Sequence, residues 1–395
     1  MPACYSKKTL ADVPVDGKRV FVRVDFNVPL DEIGQISDDR RIREALPTIK
    51  YLIDRGARVV LGSHLGRPGG KPDPALTLRP IADRLTQLLG KPVTFVPETV
   101  GPTAIASVRR LEPGQVALLE NLRYSAGEEK NDAKFSDQLA ELADIYVNDA
   151  FGTAHRAHAS TVGITKSLPS VSGFLMEKEL RALGDALEAP RRPLVAVIGG
   201  AKISSKIGVI RNLLPRVDAL LIGGGMANTF LKAAGCEIGR SLVENDQLDL
   251  AREIAEFAGP KIVLPVDLVV ADRAEPGSAT EVVAIDRVPG ERMILDIGPR
   301  TAARFAEIIG SAGTVIWNGP VGLAEIPAFA EGTLVTARAL AASPATSVVG
   351  GGDLVAALDR LGLSDRMSHV STGGGASLEF LEGKSLPGVA ALEDR

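Results

Sequence analysis

Short apolar runs alternate with longer segments of helical spacing along the whole chain, and this alternation constrains the fold more than any other feature. The apolar runs include VFVRVDFNV, ARVVLGSH and IYVNDAF in the first half, and LVAVIGG, ALLIGGG and TVIWNGP in the second. Segments of helix length, such as RPIADRLTQLLG, lie between them. Strands that alternate with helices form βαβ units and parallel sheets. The pattern therefore predicts an α/β protein with doubly wound, Rossmann-like parallel sheets.

The length of 395 residues exceeds what one hydrophobic core usually supports, so two domains are expected. Near the middle, the segment FLMEKELRALGDALEAPRRP carries leucines at helical spacing and is closed by prolines. We interpret it as an interdomain helix at 173–190, which joins an N-terminal domain at 1–172 to a C-terminal domain at 191–377, with a cleft between the domains. The alternative is a crossover helix inside one large sheet.

Composition is that of an ordinary globular protein, with 45% hydrophobic and 24% charged residues. The net charge of −4 and an aromatic content of only 4% disfavour a nucleic-acid surface. The apolar runs are too short and interrupted to span a membrane. The N-terminal stretch lacks the apolar core of a signal peptide, so a cytoplasmic location is expected. Cys4 and Cys236 are too few and too far apart for a disulfide framework or a zinc site.

Four apolar runs of the second half end in glycine-rich turns, at residues 199–200, 223–225, 350–352 and 373–375. Glycine lets backbone N–H groups approach an anion closely, and a following helix N-terminus favours negative charge. Tight packing of a strand-to-helix turn can also require glycine, but four such turns in one domain favour phosphate binding.

Charged residues follow two of these glycine turns. Lys202 and Lys206 lie four apart in GGAKISSK, which predicts one helical face that suits two phosphates of a nucleotide; a solvated helix face is the alternative. Asp353 follows the third turn, where a carboxylate can hold Mg²⁺ that bridges nucleotide phosphates. Helix N-capping is the alternative for Asp353. The stretch is neither a Walker A loop nor a dinucleotide fingerprint.

Polar side chains also mark the strand ends of the first half. Arg23, Asp25 and Asn27 alternate along VRVDFNVPL, which predicts that they share one face of a strand. A wet edge strand would show the same alternation. Histidine and arginines recur at further strand ends, in SHLGRP, ENLRY, HRAH and DRRIR. The guanidinium fork matches carboxylates and phosphates, so this half is expected to hold a small polyanion.

The chain closely resembles the phosphoglycerate kinase family. The motifs RVDFNVPL, SHLGRP, LLENLRY, NDAFGTAHRAH, GGAKISSK, IGGGMANTF, WNGPVG, GGGD and STGGGAS occur in the order seen in that family, from about Asp25 to the final residues. The resemblance implies that the first domain binds 3-phosphoglycerate and that the second binds MgADP or MgATP. It also implies that a C-terminal tail at 378–395 returns to the first domain, and that the protein is a monomer.

The resemblance also implies roles for particular residues. Asp25 and Asn27 would hydrogen-bond the glycerate, and Arg41, the arginine directly before Ile42, would be the catalytic arginine. The basic patch for the substrate would include His64, Arg67, Arg123 and Arg156. Lys202 would follow the transferred phosphoryl group. Lys206 would contact the nucleotide phosphates, and Asn318 and Glu325 would contact the nucleotide, with Glu325 on the ribose. From the glycine turns themselves, the amides of Gly373, Gly374 and Gly375 are candidates for stabilising the phosphoryl group in transfer. The same turns are expected to place at the nucleotide Gly200, Gly224, Gly351, Gly352, Asp353 and Leu354, with Asp353 on Mg²⁺.

Two positions depart from the family pattern. Leu323 and Ala324 stand where Val-Phe usually precedes the glutamate, which bears on the geometry of Glu325. Leu354 stands where Thr or Ser usually follows the aspartate, which removes a hydroxyl that could touch the nucleotide phosphates.

The expected reaction moves a phosphoryl group between 1,3-bisphosphoglycerate and ADP, giving 3-phosphoglycerate and ATP. Its acceptor is a carboxylate that is already ionised at neutral pH, so no general base is needed. Two other functions compete with this one. A dinucleotide-dependent dehydrogenase would require the fingerprint that the chain lacks, and a two-domain anion-binding protein would close on its ligand without chemistry.

Overall fold

A computed structural model describes residues 7–395, which divide into two compact units. The first unit runs as far as Arg181 and also contains Ser385–Arg395, and the second is Ala182–Lys384. The dividing point falls within a helix at Phe174–Glu188, whose Leu180, Leu183 and Leu187 are buried. By this division residues 378–384 group with the second unit, so the tail that joins the first unit is shorter than 378–395.

The first unit is built on a six-stranded parallel sheet with the strand order β3-β4-β2-β1-β5-β6. Its strands are β1 Arg19–Val24, β2 Arg58–Gly62, β3 Val93–Val96, β4 Val116–Leu119, β5 Ile145–Asp149 and β6 Ser170–Ser172. The helices in this part of the chain are α1 Arg40–Asp54, α2 Arg79–Leu89, α3 Pro102–Arg109, α4 Ala126–Glu129, α5 Ala133–Ala140 and α6 Phe174–Glu188. Apolar clusters cover both faces of the sheet, as expected for strands buried on two sides.

The second unit is built on another six-stranded parallel sheet, with the order β15-β14-β13-β7-β8-β9. Its strands are β7 Leu194–Ile198, β8 Ala219–Ile222, β9 Ile262–Val263, β10 Asp267–Ala271, β11 Glu281–Ala284, β12 Met293–Ile297, β13 Thr314–Asn318, β14 Thr346–Gly350 and β15 His369–Val370. The helices are α7 Ile207–Leu213, α8 Gly225–Ala233, α9 Leu248–Ala258, α10 Pro299–Gly310, α11 Glu331–Ala342, α12 Gly352–Arg360 and α13 Gly375–Leu381. Strand order reverses between β7 and β13, and ligands of such sheets bind beyond the carboxyl ends at that point.

The prediction of two parallel-sheet α/β domains is confirmed. One element was not predicted, namely a separate antiparallel sheet of order β11-β10-β12 inserted in the second unit. Its strands EVVA and MILDI are short and only partly buried, and the turn between them contains Pro289 and Gly290.

The C-terminal tail packs within the first unit, where it forms a short helix α14, Pro387–Ala390. Asn148 at the end of β5 donates from Nδ2 to the carbonyl of Gly388 at 3.1 Å. Lys8 donates its amide to the carbonyl of Glu393 at 2.9 Å, and its Nζ contacts the Glu393 carboxylate at 2.8 Å. These contacts hold the C-terminal tail against β5 and against the segment that begins the described residues.

Two further sequence expectations concern membranes and cysteines. Between residues 7 and 395, every helix is too short or too polar to cross a membrane. Cys236 is a free thiol, and Cys4 lies outside the described residues.

Candidate active site

In the first unit, a carboxylate and an arginine meet just beyond strand β1. Oδ2 of Asp25 accepts a hydrogen bond from Nη1 of Arg41 at 2.5 Å, and Arg41 is the second residue of α1. Asn27 accepts at Oδ1 from the amide of Gly66 at 2.9 Å, which ties this loop to the loop after β2. The structure therefore brings together Asp25, Asn27 and Arg41.

The strand that carries these residues is shorter than its sequence suggests. β1 ends at Val24, so Asp25 and Asn27 belong to the following loop and do not share a strand face with Arg23. The amide of Phe26 donates to Oγ of Ser63 at 2.8 Å instead of joining the sheet ladder. The amide of Phe26 is therefore bonded to a side chain of the neighbouring loop, and β1 ends before Asp25 and Asn27.

His64 follows β2 and is almost completely buried. Its Nδ1 lies 3.2 Å from Nη2 of Arg23 and 4.0 Å from Oδ1 of Asp25. Burial holds the pKa of His64 well below its usual value of 6.5, and the charges of Arg23, Arg123 and Arg41 lower it further. At neutral pH this imidazole is therefore uncharged, although it lies among cations.

The remaining predicted cations of this unit differ in exposure. Arg123 is buried after β4, and it donates from Nη1 to the carbonyl of Gly66 at 2.9 Å. Burial lowers the pKa of its guanidinium, and the charge of Glu129 opposes that shift. Arg67 and Arg156 are exposed, and the charge of Arg156 contributes to the lowered pKa of Arg123.

In the second unit, a lysine and an amide meet where the strand order reverses. Nζ of Lys206 donates to Oδ1 of Asn318, the last residue of β13. Burial lowers the pKa of Lys206, and the negative charges of Asp353 and Glu382 oppose this shift. A half-buried ammonium group with an amide oxygen as its partner is well placed to exchange that partner for an anionic ligand.

The two lysines of GGAKISSK do not share a helical face, contrary to the sequence expectation. Helix α7 begins only at Ile207, with Lys206 as its N-cap, and Lys202 is exposed in the preceding loop. Ser204 donates to the Glu244 carboxylate from both its amide, at 3.1 Å, and its Oγ, at 2.5 Å. These bonds fix residues 202–206 as a loop that no local pattern encodes.

Glycines 199–200 and 223–225 serve close backbone packing more than anion binding. The amide of Gly200 donates to the carbonyl of Pro320 at 3.0 Å, and that of Gly224 donates to the carbonyl of Val321 at 2.7 Å. A Cβ on Gly224 would lie 2.7 Å from the backbone of Gly200. The packing explanation therefore accounts for these two turns, because the amides of Gly200 and Gly224 are already bonded to the neighbouring loop.

Gly200, Gly224 and Gly225 line a cavity of about 490 Å³. Its wall is mostly apolar, and it includes the side chains of Leu242, Met293 and Leu323. Glu325 and Asp353 supply carboxylates at its lining. A mainly apolar cavity of this size with a few polar groups suits a nucleoside.

After β14, the side chains of two consecutive residues, Asp353 and Leu354, lie in different environments. Gly351 has φ of +98°, and α12 begins at Gly352. Asp353 is exposed and lines the cavity, whereas Leu354, which was expected among the nucleotide contacts, lies fully buried in the core of the second unit. A residue in the first turn of a helix can face the sheet, and here the leucine does so.

The last glycine turn precedes α13, which begins at Gly375. Gly374 has φ of +50°, a value that favours glycine. The amide of Gly373 donates to Oγ of Ser371 at 3.1 Å, so it is already engaged within the turn.

In the first unit, arginines surround a carboxylate beyond the parallel sheet. In the second unit, a lysine lies where the strand order reverses, and a cavity of nucleoside size lies beside it. Together these features define a phosphotransferase that acts on a small anion and a nucleotide. A family model described as Phosphoglycerate kinase matches residues 10–384. The phosphoglycerate kinase of Moorella thermoacetica is 57% identical over 393 residues, which cover 99% of this chain and 100% of the relative. That of Chloroflexus aurantiacus is also 57% identical, over 98% and 99%.

Solved structures agree with the sequence relatives. The phosphoglycerate kinase from Coxiella burnetii matches with a TM-score of 0.90 at 46% identity, and that from Pyrococcus horikoshii with 0.86 at 38%; each match covers 98% of both chains. The chain therefore belongs to the phosphoglycerate kinase family, as its motifs indicate. It is a glycolytic kinase that reversibly transfers a phosphoryl group between 1,3-bisphosphoglycerate and ADP, giving 3-phosphoglycerate and ATP.

Proposed function

We propose that the first unit binds the glycerate substrate and the second binds the nucleotide. The observation that carries this division is the placement of the two polar clusters, each beyond the carboxyl ends of its own parallel sheet. Asp25 and Asn27 bind the hydroxyl and carboxyl side of the glycerate. Its phosphate is bound by the basic patch of His64, Arg67, Arg123 and Arg156.

Arg41 is the catalytic cation of this proposal. In the structure it is paired with Asp25, so its charge is balanced before substrate binds. A phosphoryl group in transfer carries its negative charge on three equatorial oxygens, which a guanidinium fork can neutralise. Arg41 would then contact these oxygens while Asp25 accepts a hydrogen bond from the substrate.

Lys202 and Lys206 have different roles in binding the nucleotide and its transferred phosphoryl group. Lys202 is exposed and unconstrained by a helix, which suits a side chain that follows the phosphoryl group. Lys206 exchanges Asn318 for a nucleotide phosphate. Glu325 binds the ribose from the cavity lining, and the backbone of Gly200, Gly224, Gly351, Gly352 and Leu354 contributes to the walls and turns around the nucleotide. The glycine turn of Gly373, Gly374 and Gly375 supports the oxygens in transfer.

Direct in-line transfer requires the two half-sites to meet during the cycle, with water expelled so that the acyl phosphate is not hydrolysed. No proton acceptor is required at the reacting carboxylate, which is consistent with a site dominated by arginine and lysine.

A magnesium ion fits the nucleotide side through Asp353. Within the described part of the chain, no three His, Cys, Asp or Glu residues come together as a metal cluster. Mg²⁺ usually takes one or two protein carboxylates and completes its shell with phosphates and water, so a single exposed carboxylate at the cavity is sufficient. When bound, the ion neutralises charge on the nucleotide phosphates.

The magnesium proposal is tested by titrating MgADP and free ADP into the Asp353→Ala variant. We expect affinity for MgADP to fall by about tenfold or more while affinity for free ADP changes little, because only the carboxylate replaces a water on the metal. Equal losses for both forms of the nucleotide would refute the role of Asp353.

The protein is proposed to act as a cytoplasmic monomer on small molecules, without a nucleic-acid or membrane partner. Support comes from the presence of both half-sites in one chain and from the glycolytic reaction. Sedimentation of the active enzyme at assay concentration tests the monomer.

The experiment that tests the function is ATP consumption with and without 3-phosphoglycerate. Turnover that requires both substrates supports the kinase. Tight anion binding without turnover would indicate a binding protein, and nicotinamide-dependent turnover would indicate a dehydrogenase.

A further inference from the structure

Arg23 is a fully buried cation whose hydrogen bonds form a continuous chain behind the glycerate half-site. Its Nε donates to Oγ of Ser160 at 2.8 Å, and its Nη2 contacts Nδ1 of His64 at 3.2 Å. Nη1 donates to the carbonyl of Val24. Three of its nitrogens are therefore directed by the fold, and no solvent competes for them.

The neighbours of the Ser160 hydroxyl determine which group it donates its hydrogen bond to. Arginine has only donors, so Oγ of Ser160 must accept from Arg23. The single hydroxyl proton is then donated to Oε1 of Glu128, which lies 2.5 Å away. The amide of Ser160 also donates to Oε2 of Glu128, at 3.0 Å.

Glu128 is completely buried, and both of its oxygens act as acceptors, which is how an ionised carboxylate behaves. Burial raises the pKa of Glu128, and the charge of Arg23, the bonds from Ser160 and the charge of Arg123 oppose that shift. Nδ1 of His158 lies 3.9 Å from Oε1, too far for a hydrogen bond. Glu128 is thus a buried counter-charge within a cluster of cations.

The other end of the chain of bonds determines the tautomer of His64. Because Nη2 of Arg23 can only donate, Nδ1 of His64 must present its lone pair. Oδ1 of Asp25, at 4.0 Å, is too distant to draw a proton to Nδ1. A neutral ring with an unprotonated Nδ1 carries its proton on Nε2, and an N–H donor is what a neutral histidine needs in order to bind an anionic oxygen.

We propose that Glu128 and Ser160 are positioning residues for the glycerate site: through Arg23 they hold His64 as the Nε2–H tautomer, so that the neutral ring donates a hydrogen bond to an anionic group of the substrate. The substrate half of this inference rests on the proposed role of His64, whereas the tautomer does not.

The tautomer is measured on the full-length enzyme with ¹⁵N-labelled histidine, by two-bond ¹H–¹⁵N correlation spectra at neutral pH. The His64→Gln variant identifies the His64 signals among the four histidines. We expect an unprotonated Nδ1 and a protonated Nε2 in the parent protein. A His64 ring protonated on Nδ1, or a doubly protonated ring, would overturn the proposal without any variant.

Ser160→Ala and Glu128→Gln test the chain of bonds. Each is expected to raise KM for 3-phosphoglycerate by about tenfold, the loss typical of a charge-assisted bond, with KM for the nucleotide unchanged. The His64 signals should move towards an average of two tautomers, and Ser160→Thr, which keeps the hydroxyl, should restore both readouts.

Ser170→Ala is the matched control. Ser170 is an equally buried serine of the same unit, and its Oγ donates to the carbonyl of Leu168, outside this chain of bonds. Ser160→Ala behaving like Ser170→Ala in both readouts would overturn the positioning role. An unchanged KM for 3-phosphoglycerate in His64→Gln would instead refute the substrate role of His64, and with it the functional half of the inference.

Discussion

Replacing Leu354 by threonine is expected to weaken the second unit and to leave nucleotide affinity unchanged. Leu354 is fully buried, and it belongs to the apolar cluster that contains Trp317, Val349 and Leu358. Large-to-small changes at buried leucines cost about 2–5 kcal/mol. Threonine retains part of the volume but adds a hydroxyl that must find a backbone acceptor, so we expect a loss of about 2–4 kcal/mol in the free energy of unfolding.

The loss can be measured with a probe inside the same cluster. Trp317 is the only tryptophan of the chain and is buried, so its fluorescence during urea unfolding reports on this unit. For a unit of this size, the expected loss corresponds to a fall in Tm of about 4–16 °C. Calorimetric titration of MgADP into the folded variant should give an affinity within about threefold of the parent, a change below about 0.7 kcal/mol.

Two control variants separate packing from other effects. Leu354→Met keeps the volume and should cost less than about 1.5 kcal/mol. Leu361→Thr makes the same chemical change at an exposed position directly after α12, and it should stay within about 0.5 kcal/mol. An unchanged urea midpoint for Leu354→Thr, together with a gain of more than about tenfold in MgADP affinity, would show that the side chain reaches the nucleotide and would refute this reasoning.

Two further predictions concern the site, and a third concerns Asp296, a buried residue of β12. Arg41→Ala should lower kcat by about 10³-fold in steady-state assays, whereas Arg40→Ala should stay within about threefold; a loss confined to Arg40→Ala would contradict the assignment. Lys206→Ala should weaken ADP binding by about tenfold or more in calorimetry and leave 3-phosphoglycerate binding intact, and equal losses would show that the half-sites are not divided between the units. Burial raises the pKa of Asp296 from 3.8 to about 7, and the charge of Glu331 adds to the shift. The folded state therefore binds the proton more tightly than the unfolded state, so this group's contribution to the free energy of unfolding is fully present below about pH 4 and declines by at most about 1.4 kcal/mol per unit as pH rises towards 7. Asp296→Asn should flatten that slope in urea unfolding followed by tryptophan fluorescence, and an unchanged slope would refute the pKa shift.

Local patterns in the sequence were sufficient for the two parallel sheets, but not for the antiparallel sheet of the second unit. Apolar runs of strand length alternate with segments of helical spacing, and their order predicts parallel sheets because βαβ connections allow little else. The leucines at helical spacing in α6 are buried as their periodicity indicates. The ordered set of motifs was also sufficient for the family, and hence for the reaction.

Contacts between distant parts of the chain determine where individual side chains lie. Oγ of Ser63 accepts a hydrogen bond from the amide of Phe26, and β1 ends before that residue. The Glu244 carboxylate accepts a hydrogen bond from the amide of Ser204, which lies in a loop where a helix was expected. Neither partner lies near its target in sequence, so no local period could reveal them.

The glycine turns and Leu354 show the same limit. A glycine that serves an anion and a glycine that serves a neighbouring backbone look alike in a sequence, and only the bond from Gly224 to Val321 tells them apart. The aspartate and leucine after Gly352 are adjacent in the chain, yet one is exposed at the cavity and the other is in the core. Sequence spacing determines which residue types recur at strand ends, but the direction of a side chain beyond a strand depends on what the rest of the fold packs against it.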